Sequence, residues 1–214
     1  MRRKVIAFIG TDGSGKTTIM NAVLPHLEAL LACRFRIQHL KPDLLPPLGQ
    51  LRGVKHESGY ICTDPHGSRP SGFIGSLVRL IYLTMDYVLG YWFRVRRVVR
   101  RLDCAGWVFD RYAYDMLIDP VRFRIRLPLS VIRWALRIIP KPDVVICLGG
   151  DPAKIHARKP ETSEQEVARQ VSVLRRFCAA DKRMHWIDTT CALESSVKET
   201  LDILKRVCVH HETA

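Results

Sequence analysis

The residues best equipped for chemistry sit together near the amino end. Gly10-Thr11-Asp12-Gly13-Ser14-Gly15-Lys16-Thr17 fits the pattern G-x-x-x-x-G-K-[ST] without substitution. Glycines let the backbone turn tightly and aim successive N–H groups at one anion. A helix beginning near Lys16 adds the positive end of its dipole at the same place. Lys16 is predicted to reach the β- and γ-phosphates of a nucleoside triphosphate, and the Thr17 hydroxyl to hold a magnesium ion. The wrapping surface would run through Gly10, Thr11, Asp12, Gly13, Ser14, Gly15, Lys16, Thr17 and Thr18. A Gly/Ser turn that matches by chance is the bland alternative. A complete match directly after a strand argues against it.

Positioning this loop requires the apolar, β-branched run Val5 to Ile9, which reads as a buried strand. After it, Thr18 to Ala32 has helical spacing with Pro25 as a kink, and Phe35 to Leu40 reads as a second strand. Lys41 to Gly75 is rich in Pro and Gly and reads as irregular chain, with a turn at Asp64-Pro65-His66-Gly67. Ser76 to Arg101 is the longest helical stretch, apolar along Leu77, Leu80, Ile81, Met85, Val88 and Leu89, and basic at its end (RVRRVVRR). Arg79 and Asp86 make it too polar and too short for a membrane span. Its aromatics Tyr82, Tyr87, Tyr91, Trp92 and Phe93 suit core packing.

Gly106 to Asp110 reads as a third strand ending in an acid, Val144 to Leu148 as a fourth, and His185 to Asp188 as a fifth. Helices are predicted over Ser163 to Ala180 and Leu193 to Val209. Strands alternating with helices imply an α/β fold: a five-stranded parallel sheet with helices on both faces, and the ligand at the carboxyl ends of the strands. The 214 residues suit one domain with a proper core.

The triphosphate motif alone leaves kinase, switch and motor open. A guanine-reading Asn-Lys-x-Asp is missing, since the only asparagine is Asn21. Adjacent acids at a strand end, usual in motors, are missing too; the third strand ends Asp110-Arg111-Tyr112.

Taken in order, IGTDGSGKTT, VFDRY and, after the fourth strand, ARKPE, the chain resembles the thymidylate kinase family of nucleoside monophosphate kinases with a P-loop NTPase fold. The resemblance implies ATP and magnesium as cofactors and dTMP or a related monophosphate as acceptor. It implies that Asp12 faces the acceptor sugar and that Arg111 clamps the phosphates in transfer. Gly13 stands where some members carry a loop arginine, so Arg158, with Lys159 beside it, inherits the lid role in a lid of about 151–165. Such transfer spreads negative charge over the moving group, so catalysis is positioning plus cationic stabilisation. Asp110 would hold magnesium through water, next to Thr17. Family members are commonly homodimers, which is what the resemblance implies here.

The acceptor side departs from the family. Its usual Arg-Glu-Pro with two glycines is replaced by His39-Leu40-Lys41-Pro42-Asp43, and its Asp-Arg-x-Gln-His by Asp86-Tyr87-Val88-Leu89-Gly90. Lys41, His39, the arginines Arg94, Arg96 and Arg97, or the polar stretch Asp119 to Arg124 are the candidates to fill the gap. A different phosphorylated acceptor, such as a sugar phosphate, therefore stays open, as does a non-catalytic ATP-binding protein. A net charge of +13 would draw phosphorylated substrates, nucleic acid or an anionic membrane alike, and names no partner. Seven cysteines without C-x-x-C pairs, and no signal peptide, point to reduced thiols and a cytoplasmic location.

Overall fold

The computed structural model describes residues 4–46, 72–101 and 105–209. Within them β1 (Val5–Gly10), β2 (Arg34–His39), β3 (Ala105–Asp110), β4 (Val144–Gly149) and β5 (Met184–Asp188) form one sheet in the order β2-β3-β1-β4-β5. Every pairing is parallel. β1 and β4 are buried at every position, as strands covered on both faces must be. β2, at the edge, is exposed except at the half-buried Phe35 and Gln38.

Alternation along β1 sends its side chains to two separate cores. Ile6 and Phe8 pack with α1 (Lys16–Leu31) and α8 (Leu193–Val209), through Ile19, Val23, Leu27 and Leu204. Val5, Ala7 and Ile9 face the other side, with Trp107, Phe109 and Tyr112. That side is covered by α2 (Phe73–Gly90), α3 (Arg96–Arg101), α4 (Asp115–Ile118), α5 (Leu129–Ile138) and α7 (Glu164–Ala180). Tyr112 sits edge-on to both Tyr87 and Phe109, with ring centroids 5.1 and 5.0 Å apart. Such pairs add about 0.5–1.5 kcal/mol each beyond burial.

Strand boundaries agree with the sequence reading to within one residue. Pro25 lies inside α1, which continues through it. The helices α5 and α6 (Pro152–Arg158) were not foreseen. α6 starts with Asp151 accepting from the Ala153 N–H and with Pro152 in its first turn, which were the available signals. Most of the irregular stretch expected after β2, including its Asp64–Gly67 turn, lies outside the described residues.

The long helix needs correcting. It starts three residues earlier than expected, at Phe73, and a π-helical turn over Tyr91–Val95 separates α2 from α3. The buried residues of α2 are Ser76, Leu80, Asp86, Tyr87 and Gly90, of which Leu80 and Tyr87 join the core against the sheet. Ile81 and Met85, expected to be buried, are 52% and 49% exposed, and Trp92 and Phe93 are 50% and 61% exposed. With the earlier start, the helical stretch Phe73–Arg100 contains 18 consecutive residues of mean hydropathy 1.4 and is, by length and composition, able to cross a membrane, against the expectation. Leu80 and Tyr87 on its inward side join the core against the sheet, and Asp86 is completely buried under the chain that follows β2.

Candidate functional site

Parallel register brings the two motifs together. Phe8 of β1 is level with Asp110 of β3, so Arg111 emerges beside the loop that begins at Gly10. Gly10 in turn pairs with Leu148 of β4, placing the start of α6 on the loop's other flank. Strand order diverges from β1 to both sides at this edge, where open α/β sheets bind their ligands.

The loop is shaped for an anion. Gly15, at φ 74°, starts α1 with no side chain capping it, so the first N–H groups of the helix stay free for a ligand. Gly13 has φ +80°, and a Cβ there would lie 2.7 Å from the Ile155 carbonyl oxygen and 3.2 Å from Lys159 Cβ. The end of α6 therefore rests directly on the loop, and no larger side chain fits at Gly13. Lys16 Nζ donates to the carbonyl oxygens of Gly10 at 2.9 Å and Thr11 at 2.8 Å. The Thr11 and Ser14 hydroxyl oxygens are buried with no hydrogen-bond partner among the described residues. Thr17 and Thr18 are exposed at the start of α1.

Burial, with help from the Arg111 charge, lowers the Lys16 pKa to about 7 against the pull of Asp12, Asp115 and Asp110. Triphosphate oxygens beside Lys16 would return it to the charged form. Nucleotide binding at pH 8 should therefore take up close to one proton. Calorimetry in buffers of different ionisation enthalpy measures that uptake directly, and a buffer-independent enthalpy at pH 8 would count against the anion site.

Asp12 lies between two arginines. Arg111 Nη2 binds one of its carboxylate oxygens and Arg122 Nη2 the other. Burial alone would raise the Asp12 pKa, but Arg111, Lys16, Arg122 and Lys159 outweigh it and hold the carboxyl below the ordinary value. Arg111 is itself buried, at φ 75°, a left-handed conformation costing a bulky residue about 1–3 kcal/mol. Its N–H bond to the Phe8 carbonyl at 2.8 Å and its ion pairs hold it there. The second pair runs to Asp115 at 3.3 Å, whose carboxyl burial pushes up despite Arg111 and Lys16.

A metal fits beside these groups by donor chemistry. Asp110 Oδ1 is buried without a partner among the described residues, while Oδ2 lies 3.3 Å from His39 Nδ1. Burial raises the Asp110 pKa, and the His39 bond and Lys16 more than offset it, so the carboxylate stays ionised. An ionised carboxylate and the Thr17 hydroxyl are the hard oxygen donors that magnesium takes.

Other expected residues fall elsewhere. Arg158 is exposed at the end of α6 with no ion pair to a described residue; Lys159 lays its Cβ beside Gly13 and its charge acts on Asp12, while its ammonium pairs with Glu161 at 3.1 Å. Lys41 and Asp86, considered for the acceptor, bind each other at 2.8 Å. Asp86 Oδ1 also accepts the N–H groups of Leu44 and Leu45, both at 2.8 Å. Arg94 donates to the Pro42 carbonyl at 2.6 Å and the Asp43 carbonyl at 3.0 Å. These groups fasten the chain after β2 onto α2. Arg122 was legible only as one charge in a polar stretch; Asp-Pro ahead of it signalled a turn but not where it points.

No protein-family model and no curated protein matches the chain. Solved structures do. It superimposes on thymidylate kinase from Candida albicans with a TM-score of 0.63, at 19% identity over 95% of this chain and 92% of that one. Thymidylate kinase from Ehrlichia chaffeensis gives 0.60, at 14% identity over 96% and 100%. The chain has the fold of these kinases.

Proposed function

We propose that this protein is a magnesium-dependent kinase that moves the γ-phosphoryl group of ATP onto the phosphate of a nucleoside monophosphate, dTMP being the first candidate. One observation carries the reading: Asp12 of the phosphate loop and Arg111 of Asp-Arg-Tyr are joined in one ion pair at the carboxyl edge of the sheet. A mere nucleotide-binding protein has no use for a buried, strained arginine there. In this reading the loop amides and Lys16 grip the β- and γ-phosphates. An acceptor phosphate oxygen attacks the γ-phosphorus as its bond to the β-γ bridging oxygen breaks. Arg111 offers its planar fork to the charge that spreads over the moving group. Arg158, on α6, supplies the lid cation together with Lys159. Magnesium, held by Thr17 and through water by Asp110, would neutralise charge on the triphosphate.

ADP release measured against dTMP, other nucleoside monophosphates and a set of sugar phosphates tests the reading. Turnover with a nucleoside monophosphate at a micromolar KM supports it. Turnover with sugar phosphates alone moves the acceptor to the second class, which the mutual pairing of Lys41 and Asp86 favours. No turnover with any of them overturns the kinase.

We also assign the protein to the cytoplasm, a reading supported by the free thiols of Cys147, Cys178, Cys191 and Cys208. A second copy of the chain is the occupant we assign to the outer side of α2. Ile74, Val78, Ile81 and Met85 recur there at helical spacing and are 77%, 55%, 52% and 49% exposed. Sedimentation should show a dimer for the wild type and a monomer for Val78→Lys/Met85→Lys. A monomeric wild type that instead binds anionic vesicles would give this face to a lipid surface.

A further inference from the structure

We infer that Arg122 and Arg111 together form the seat for the acceptor's phosphate, with Asp12 occupying that seat while no acceptor is bound. This rests on the kinase reading above and names the residue that supplies the cation missing after β2.

Each guanidinium has two attachments of different kinds. Arg111 holds Asp12 through Nη2 and Asp115 through Nη1 at 3.3 Å. Arg122 holds Asp12 through Nη2 and Asp119 through Nε at 3.4 Å. Asp115 and Asp119 are 1% and 6% exposed, so both anchors are fixed within the fold. The Arg122 backbone N–H also binds Asp119 Oδ1 at 3.3 Å, which holds the turn itself. Asp12, by contrast, belongs to the loop that would receive the triphosphate.

A guanidinium has five N–H donors in a planar fork suited to phosphate oxygens. Here each arginine spends one side of its fork on a buried anchor and the other on Asp12. A phosphate monoester, with more charge and more oxygens than one carboxylate, can replace Asp12 while both anchors stay in place. The positions are right for the transfer: the two forks meet between Asp12 and the carboxyl end of β3, beside Lys16, which contributes to the fields at both Asp12 and Asp115. Two of the alternatives elsewhere are already engaged. Lys41 is bound to Asp86 and Asp43, and Arg94 to the carbonyl oxygens of Pro42 and Asp43. The Arg122 side chain is 19% exposed, enough for an incoming anion to reach it.

The test separates acceptor from donor. Arg122→Ala should raise the acceptor KM about ten- to a hundred-fold, as expected for loss of one charge-assisted contact. ATP affinity, read by equilibrium binding, should stay within about two-fold, and Arg122→Lys should restore part of the KM. An acceptor KM unchanged in Arg122→Ala overturns the inference while leaving the kinase intact. Equal losses of ATP and acceptor affinity also overturn it, because they mark a structural role. Arg122→Gln, checked by thermal melting, replaces the alanine variant if that fails to fold. Should the wild type bind ATP but turn over none of the acceptors, the kinase reading fails and the seat is read with inorganic phosphate instead. Calorimetry at saturating ADP should then show phosphate binding to the wild type at least ten-fold tighter than to Arg122→Ala, and equal binding would reject the seat as well.

Discussion

Replacing Lys16 with alanine should reduce phosphoryl transfer on the order of a thousand-fold, about 4 kcal/mol of transition-state stabilisation. The same change should leave the protein at least as stable as the wild type. Both halves follow from one fact: Lys16 is a buried ammonium whose only described hydrogen-bond acceptors are two loop carbonyl oxygens. Taking an ammonium out of water is costly, and neutral carbonyls compensate less well than phosphates. The lysine is thus held for a ligand.

Stability also acquires a pH signature. Burial depresses the folded-state pKa of Lys16 from 10.5 to about 7. Between those values the unfolded chain binds more protons than the folded one, so stability rises with pH across this window. Below about pH 7 the burial penalty is present in full. The advantage of Lys16→Ala over the wild type should therefore shrink as pH rises from 7 toward 10. A variant as active as the wild type, or one whose stability advantage grows with pH, contradicts this picture. The activity loss and the pH trend are measured independently.

Asp86→Ala should act the other way, mainly on folding. Asp86 is completely buried and accepts from Lys41 Nζ and from the N–H groups of Leu44 and Leu45. Burial and Asp86 pull oppositely on the Lys41 pKa, and the bonds to Asp86 and Asp43 win, leaving it raised. Removing one member of a buried pair costs about 3–5 kcal/mol. Lys41 keeps some access to water, so the lower end, about 3 kcal/mol, is the expectation. In a chain of this size that corresponds to a fall in Tm of about 6–12 °C. Asp86→Asn, which keeps an acceptor for the two N–H groups but loses the charge, should fall in between. The outcome also distinguishes two roles. If Asp86 contacted the acceptor, as the family resemblance suggested, its loss would raise the acceptor KM and leave Tm alone. A Tm within about 2 °C of the wild type would falsify the structural role.

How far the sequence reached depends on the range of the forces involved. Local patterns were sufficient for the strands, because β1 and β4 are continuous apolar runs and a strand buried on both faces has no other composition. The phosphate loop was legible for the same reason: its glycine conformations are set by neighbours in the chain, at φ 80° for Gly13 and 74° for Gly15. Even the meeting of Asp110-Arg111 with the loop followed from parallel strands ending at one edge.

The rest was decided by partners distant in sequence. The helix over Phe73–Arg101 has apolar residues on more than one side, so periodicity alone could not say that Leu80 and Tyr87 face the sheet while Ile81 and Met85 face out. Its acid at position 86 is covered by the chain after β2, which uses both of its oxygens, and no local pattern in the helix announces that. Lys159 instead of Arg158 lies at the loop because the end of α6 rests on Gly13 through the Ile155 carbonyl and the Lys159 Cβ. Arg122 and Asp12 are separated by 110 positions. Local patterns thus determined the strands and the anion-binding loop; which charges meet there was decided by packing, because an ion pair is selected by distance in space and a sequence records only distance along the chain.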